Sequence, residues 1–404
     1  MDTAESTTVH PVLQALAAGR DEFTAIRRDI HQHPELGFEE HRTSERVATL
    51  LESWGYRVTR GLGGTGVVGQ LHRGSGSKRL GIRADMDALP IVEATGLPHS
   101  SCHAGVMHAC GHDGHTAMLL AAAKHLAEHG RFSGTLNLIF QPAEEGLGGA
   151  LKMMEDGLFE RFPCDAVFAM HNMPGYPVGH LALRDGPAMA SSDYVGITVH
   201  GNGGHGAMPH RAADPVVAAS SLVMALQTVV SRNVDPLQMA VVTVGAFHAG
   251  EANNVIPPHA SLRLSVRALD RDVRALLRRR ITELAQQQAA SYGCTAEVDY
   301  RAGYCVLVNT PEETDFARQV ALELNGPDRV TLQAPALPGS EDFAFMLEKV
   351  PGCYLLVGNG DGTDAAFSGH ACMVHNPGYD FNDAALPVGA AYWALLAERY
   401  LSVS

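Results

Sequence analysis

The stretch HACGHDGHTAML, residues 108–119, sets three histidines and a cysteine within eight positions and then turns apolar. Cys110 and His112 are two apart, so on an extended segment both side chains project to one side. Thiolate and imidazole are strong donors to borderline divalent metals. A plainer reading stands beside that one: Asp113 and Thr116 cap the following helix, and the histidines make local hydrogen bonds. Past the cluster, Thr116 to His129 (TAMLLAAAKHLAEH) has the apolar spacing of a helix, with Gly130 as its stop. Arg79 to Ala84 (RLGIRA) before it and Gly134 to Gln141 (GTLNLIFQ) after it read as short buried strands, and Asp165 to His171 (DAVFAMH) as a third. Strand, helix and strand in alternation predict an α/β fold, a mostly parallel mixed sheet covered by helices on both faces.

Ligands normally sit in loops at the carboxyl ends of such strands. The three runs deliver Asp85 and Asp87, then Glu144 and Glu145, then His171 and Asn172 at that end. Each has an ordinary reading taken alone. The adjacent acids of QPAEEG suit a solvated loop, His171 a satisfied core histidine, and His375 in MVHNPGYD says little by itself. Hydrolytic metal sites, however, need one carboxylate to bind metal and another to move protons. Neighbouring residues point apart, so Glu144 and Glu145 can divide those tasks. A parallel sheet would bring all three groups to one edge, and independent loop acids have no reason to choose those positions.

The middle of the chain reads differently. Strands are expected at Asp193–His200, Gln238–Phe247, Ala260–Ala268 and Thr295–Tyr300, with helices at Asp214–Ser231 and from Arg271 to about Tyr292. The order βαββαβ describes a ferredoxin-like α+β domain with helices on one face of an antiparallel sheet. Helix–strand alternation resumes near Pro311. The expected organisation is a catalytic domain in two parts, 1–189 and 303–404, with a small domain inserted at 190–302.

Bulk composition narrows the function. At 404 residues, 46% hydrophobic and 18% charged, the chain is globular and long enough for more than one core. A formal net charge of −14 repels phosphates, so neither nucleic acid nor an anionic membrane is an expected partner. No run approaches the ~20 unbroken apolar residues of a membrane helix. The opening MDTAESTTVHP has no basic region followed by an apolar run, so no leader is expected. Seven cysteines, an odd number over a long chain, do not suggest a disulfide framework, and a reduced cytoplasmic enzyme is the default. GLGGTG, residues 61–66, has the spacing of a dinucleotide-binding fingerprint, but the strand-like VVGQLHRG follows where a helix must open, so a hairpin turn is expected.

Eight motifs in order carry a resemblance: HQHPELGFEE (31–40), RADMDALP (83–90), MHACGHDGHTAMLL (107–120), QPAEEG (141–146), GGHGAMPH (203–210), NVIP (254–257), GSEDFAF (339–345) and HNPGYDFND (375–383). Together they resemble the di-metal amidohydrolases that act on hippurate and on indole-3-acetyl-amino acids, relatives of aminoacylases and zinc carboxypeptidases. The resemblance implies two divalent ions per subunit (zinc, manganese, cobalt or nickel) held by Cys110, His112, Glu145, His171 and His375. It implies Glu144 as general base and Asp87 as the carboxylate orienting the centre. Asp85 stands where the wider superfamily has a metal-binding histidine, so this branch departs there and supplies Cys110 instead; His115 reads as structural. In the inserted domain the resemblance implies that His205 stabilises the oxyanion, reaching across from a partner subunit in dimeric relatives. It also implies that Asn254 and Arg267 hold the substrate's carboxylate or carbonyl; a surface arginine on a strand is the plainer reading of Arg267. The resemblance makes the inserted domain, 190–302, a lid and dimerisation domain, and the implied reaction cleaves an N-acyl amino acid to a carboxylic acid and a free amino acid in a homodimer or homotetramer built through it. A dipeptidase or carboxypeptidase would share the same centre.

Overall fold

The structure, a computed structural model, describes residues 9–363 and 369–402. The chain gathers into two compact units. One comprises Met1–Gly186, Val308–Pro335 and Phe345–Ser404; the other comprises Pro187–Leu307 with Ala336–Ala344. The boundaries read from the sequence fall at 190 and 302, and Ala336–Ala344 group with the second unit although nothing in their pattern marks them.

Four parallel strands form the middle of the first unit's sheet. Gly134–Gln141, Arg79–Asp85, Ala166–Pro174 and Gly352–Gly360 lie side by side, with Asp85 opposite Gln141 and His171 opposite Leu356. Arg57–Leu62 and Gly66–Arg73 pair antiparallel and extend one edge, so the Gly61–Gly66 motif is a hairpin turn. The short strands Leu181–Ala182 and Val330–Thr331 extend the other edge, giving eight strands among the described residues. The central strands are buried along almost their whole length, as parallel strands covered on both faces must be.

Helix His112–Glu128 runs through this core and is buried continuously from His112 to Ala123. It packs on Leu386–Tyr400, itself buried from Leu386 to Ala397. A Cβ at Gly389 would fall 2.0 Å from Met118 Sδ, so only glycine lets the helices approach this closely. The sequence places the start of the first helix at Thr116. The observed start is His112, because the polar first turn is spent on buried partners rather than on solvent.

In the second unit the strand order is Ala240–Ala249, His259–Ala268, Ser191–His200, Thr295–Ala302, all antiparallel. Helices Pro215–Asn233 and Arg271–Ser291 cover one face, as the βαββαβ reading requires. Val195, Ile197, Leu262 and Leu264 of the sheet pack against Leu222, Leu226, Leu277 and Ile281. Asp214 caps the first of these helices and Asp270 the second, each accepting two backbone N–H groups. Helix Pro215–Asn233 is 19 residues long and apolar enough in composition to cross a membrane. Its Ala218, Ala219, Leu222, Leu226 and Val229 are instead buried in this unit's core.

Candidate metal centre

All but one of the donors in the first unit are placed by the end of a central strand or by the turn into a core helix. Arg79–Asp85 delivers Asp85 and Asp87, Gly134–Gln141 delivers Glu144 and Glu145, and Ala166–Pro174 carries His171. Gly111 separates Cys110 from His112 with a positive φ of 92°, and a Cβ there would lie 2.3 Å from Asn172 Nδ2. No other residue fits that turn without displacing Asn172. His375 comes from the distant segment after residue 369. Its backbone N–H donates to Ala109 O at 2.7 Å, which pins it beside Cys110.

The donor atoms fall into overlapping groups, each spanning no more than 4.8 Å: Cys110 with His112 and His171; Cys110 with Glu145 and His375; and His112 with Glu144 and Glu145. Cys110 Sγ therefore belongs to two groups at once. His171 Nε2 is 3.2 Å from that sulfur, and its Nδ1 lies 2.6 Å from Asn172 O. A proton on Nδ1 completes that bond and leaves the Nε2 lone pair facing the thiol, the tautomer a metal ligand needs. His112 is held alike: Nδ1 is 3.2 Å from Asp87 Oδ1, and the other oxygen of Asp87 accepts the backbone N–H of Glu145 at 2.9 Å. Asp87 thereby sets one imidazole and one carboxylate with a single side chain.

Two observations test whether these residues suit a cation. Buried His112 Nε2 and Glu145 Oε1 make no hydrogen bond, and Glu145 Oε1 lies 3.0 Å from His375 Nε2 without hydrogen-bond alignment. Buried polar atoms are nearly always satisfied, so such lone pairs converging on one point suit a shared ion. Charge says the same. Burial together with the nearby Glu145, Glu144 and Asp85 pushes the Cys110 thiol well above its usual range. Burial disfavours a charged His112, yet Asp85, Asp87 and Glu145 outweigh it and draw a proton on, raising the group to about 10. Buried carboxylates in this number need positive charge beside them. The residues fit a divalent metal centre.

Asp85 and His115 serve as its frame. Asp85 Oδ1 is 2.6 Å from His115 Nδ1, and Oδ2 accepts from Arg83 Nη1 at 2.7 Å. His115 Nε2 accepts the Asn172 backbone N–H at 2.9 Å, so both its ring nitrogens are engaged. Burial opposes ionisation of Asp85, but His112, Arg83 and His115 hold its carboxyl well below the usual range. Thr116 donates to Asp85 O, and Asp113 accepts from His31 and Arg27, so neither caps the helix as the plainer reading supposed.

Three supports hold the donors in place, and of these the sequence marked only Asn172, as a strand-end residue. Asn172 donates to Cys110 O and accepts from Tyr379 Oη, tying the Cys110 turn to the segment after His375. Arg27, wholly buried, reaches Asp113 at 3.3 Å, Asp380 at 3.2 Å and Asp383 at 2.8 Å. One guanidinium thus joins the helix that begins at His112 to the loop that follows His375. His31 sits 2.9 Å from Asp113 and 3.4 Å from Glu93; burial disfavours its charge, but Asp113 and Glu93 together outweigh it and lift the imidazole from 6.5 to about 9. A folded-state value above the unfolded one means the native chain holds the proton more tightly. Its stabilisation is therefore complete below about pH 6.5 and lost as the pH rises through about 9. The metal-free chain is expected to lose on the order of 3 kcal/mol from this source over that window. Urea midpoints measured across it should flatten in His31→Gln; an unchanged slope would remove His31 as the cause.

The remaining predicted residues lie in the second unit. Gly204–His205 pairs with Val255–Ile256, and Gly206 N donates to Asn254 O at 2.8 Å, so His205 and Asn254 lie close together across one short antiparallel pair. His205 is exposed, and its Nδ1 accepts the Ala207 N–H at 3.0 Å, which leaves the proton on Nε2. Arg267 is half-buried on strand His259–Ala268 and donates to Ser340 Oγ at 2.9 Å.

A mostly parallel sheet whose strand ends gather a thiol, imidazoles and paired carboxylates defines a metal-dependent amide hydrolase. The chain belongs to the peptidase family M20/M25/M40, which residues 81–399 match. It is 47% identical to a hippurate hydrolase of Campylobacter jejuni over 94% of this chain and 97% of that one. It is 41% identical to the Arabidopsis thaliana IAA-amino acid hydrolase ILR1-like 2, over 94% of this chain and 85% of that one. The solved structure of a dinuclear metal binding peptidase of the M20 family from Bacillus subtilis matches with a TM-score of 0.82 at 33% identity, covering 96% of this chain and 99% of that chain.

Proposed function

We propose that this chain hydrolyses N-acyl amino acids of the hippurate or indole-3-acetyl-amino-acid kind, adding one water across the amide to release a carboxylic acid and a free amino acid. The observation that carries the proposal is that two adjacent carboxylates reach one cluster: Glu145 groups with Cys110 and His375, and both Glu144 and Glu145 group with His112. A site that only stored metal would need no second acid. Likeness to a hippurate hydrolase supports the acyl amino acid class.

Cys110, His112, Glu145, His171 and His375 would hold two divalent cations, and their mixed nitrogen, oxygen and sulfur donors suit zinc, manganese, cobalt or nickel. When bound, the cations acidify a water and polarise the amide carbonyl. Glu144 takes the proton from the attacking water and returns it to the departing nitrogen, so no net proton is consumed at the carboxylate. Asp87 keeps His112 and the Glu145 backbone in register. His205 presents its Nε2–H to the oxyanion, and Asn254 and Arg267 hold the substrate's carboxylate or carbonyl, the planar guanidinium matching two carboxylate oxygens. The second unit serves as the lid that brings these groups in.

His205→Ala is expected to leave metal content and melting temperature unchanged while lowering kcat by about 10²–10³-fold, the usual loss for one oxyanion donor. Equal kcat would remove His205 from the reaction.

The chain is further proposed to be cytoplasmic, in keeping with seven free thiols, and to assemble as a homodimer or homotetramer through the second unit. Strand Ala240–Ala249 is an edge of that unit's sheet, and Met224, Leu237 and Phe247 of the same unit are exposed. The deciding experiment is a panel of substrates on metal-reconstituted protein. Benzoyl-glycine and indole-acetyl amino acids should turn over well above unblocked dipeptides; the reverse order would make the chain a dipeptidase or carboxypeptidase.

A further inference from the structure

Ala143, immediately before the paired glutamates, has φ of 54°, a left-handed conformation that a residue with a Cβ rarely adopts. Strain of this kind persists only where the surroundings enforce it. The side chain that binds this backbone is Glu40. Its Oε1 accepts the Ala143 N–H at 2.8 Å, and its Oε2 accepts the Thr65 hydroxyl at 2.5 Å. Glu40 is fully buried, and burial lifts its carboxyl to about 7.

The surrounding loop is built for the same contact. A Cβ on Gly37 would lie 2.8 Å from Leu147 Cδ1 and 3.0 Å from Ala143 Cα, so the turn before Glu40 closes on the Ala143 segment only because residue 37 is glycine. Leu36 bridges to Ala88, and Glu35 O accepts the Ala88 N–H at 2.8 Å, which fixes the same loop to the residue after Asp87. Residues 35–40 thus register the Asp87 segment against the Glu144–Glu145 segment, and Asp87 completes the circuit through the Glu145 N–H. Thr65 gives the glycine-rich 61–66 turn its purpose: the turn supplies a hydroxyl rather than a phosphate cradle. The Gly63 N–H is itself anchored by Asp156 at 2.8 Å.

We infer that Glu40, held by Thr65, is a positioning residue that keeps Ala143 left-handed and so sets the aim of Glu144 and Glu145. The inference rests on Glu144 being the general base. Glu40 touches no donor atom of the centre; it acts through the backbone between them.

Three variants test it on manganese-reconstituted protein with benzoyl-glycine. Glu40→Ala should lower kcat by about tenfold or more, a loss consistent with small misplacement of a reacting group, with KM and metal content within about twofold. Glu40→Gln, whose amide oxygen still accepts from Ala143, should stay within about threefold of the native rate, and Thr65→Val should fall between them. Independently of activity, hydrogen exchange in residues 142–146 of the metal-free chain should quicken in Glu40→Ala and not in Glu40→Gln. An unchanged kcat and unchanged exchange in Glu40→Ala, or equal losses in Ala and Gln, would overturn the inference. Should Glu40→Ala fail to fold, Thr65→Val decides: faster exchange at 142–146 with lowered kcat supports the role, and no change in either removes it. Glu144→Gln run alongside separates the two readings. If it retains turnover, the base assignment fails first; if it is inactive while Glu40→Ala is native, only the role of Glu40 falls.

Discussion

Glu144→Gln is expected to bind metal and fold as the native chain does, and to lose kcat by roughly 10²–10⁴-fold, the range a positioned general base contributes. The substitution is close to isosteric. An amide still accepts hydrogen bonds but cannot take a proton from water near neutral pH. Glu144 is buried beside His112 and Glu145, so an alanine at this position would confound lost chemistry with a lost contact; glutamine does not. Metal content by elemental analysis and the melting temperature should stay constant, and single-turnover rates should fall with kcat. Glu145→Gln is the contrasting control, since it removes a donor and should lower metal content. A Glu144→Gln enzyme working at near-native rate would take that carboxylate out of the reaction.

Loss of the shared sulfur should be as damaging by a different route. Cys110 Sγ lies in one group with His112 and His171 and in another with Glu145 and His375. Cys110→Ala removes a donor common to both, and what remains is a cluster of buried acids with less to hold a cation against them. Bound metal should fall below half of the native complement, and the rate to below about 0.1% of native, because the water's pKa returns from near 7 toward 15.7. Chelation of the native protein should reproduce the loss, lower the melting temperature, and reverse on adding a divalent cation with a thiol. Full metal content and activity in Cys110→Ala would mean that the sulfur is no ligand.

Much of this was visible in the sequence because hydrophobic runs and their endings are local. The strands at Arg79–Ala84 and Gly134–Gln141, the insertion's βαββαβ order and the hairpin at 61–66 all follow from patterns a few residues long. The start of helix His112–Glu128 did not, since His112, Asp113 and His115 are polar yet buried, and periodicity cannot tell a polar residue facing solvent from one facing a buried partner. The donor candidates were legible as strand-end residues. Their supports were not: Arg27 meets Asp380 and Asp383 across more than three hundred positions, and Glu40 meets Ala143 across about one hundred. Such pairs leave no spacing to read. The strain at Ala143 is likewise invisible, because alanine gives no hint of a left-handed φ.

Anomalous diffraction from crystals of the manganese-reconstituted enzyme addresses the centre most directly. Two strong peaks per chain are expected, with Cys110, His112, Glu145, His171 and His375 all within bonding distance of one or the other and the Glu144 carboxylate bound to neither. A single peak, peaks ligated by other residues, or Glu144 serving as a full-time ligand would contradict the assignment of one carboxylate to metal and its neighbour to the proton.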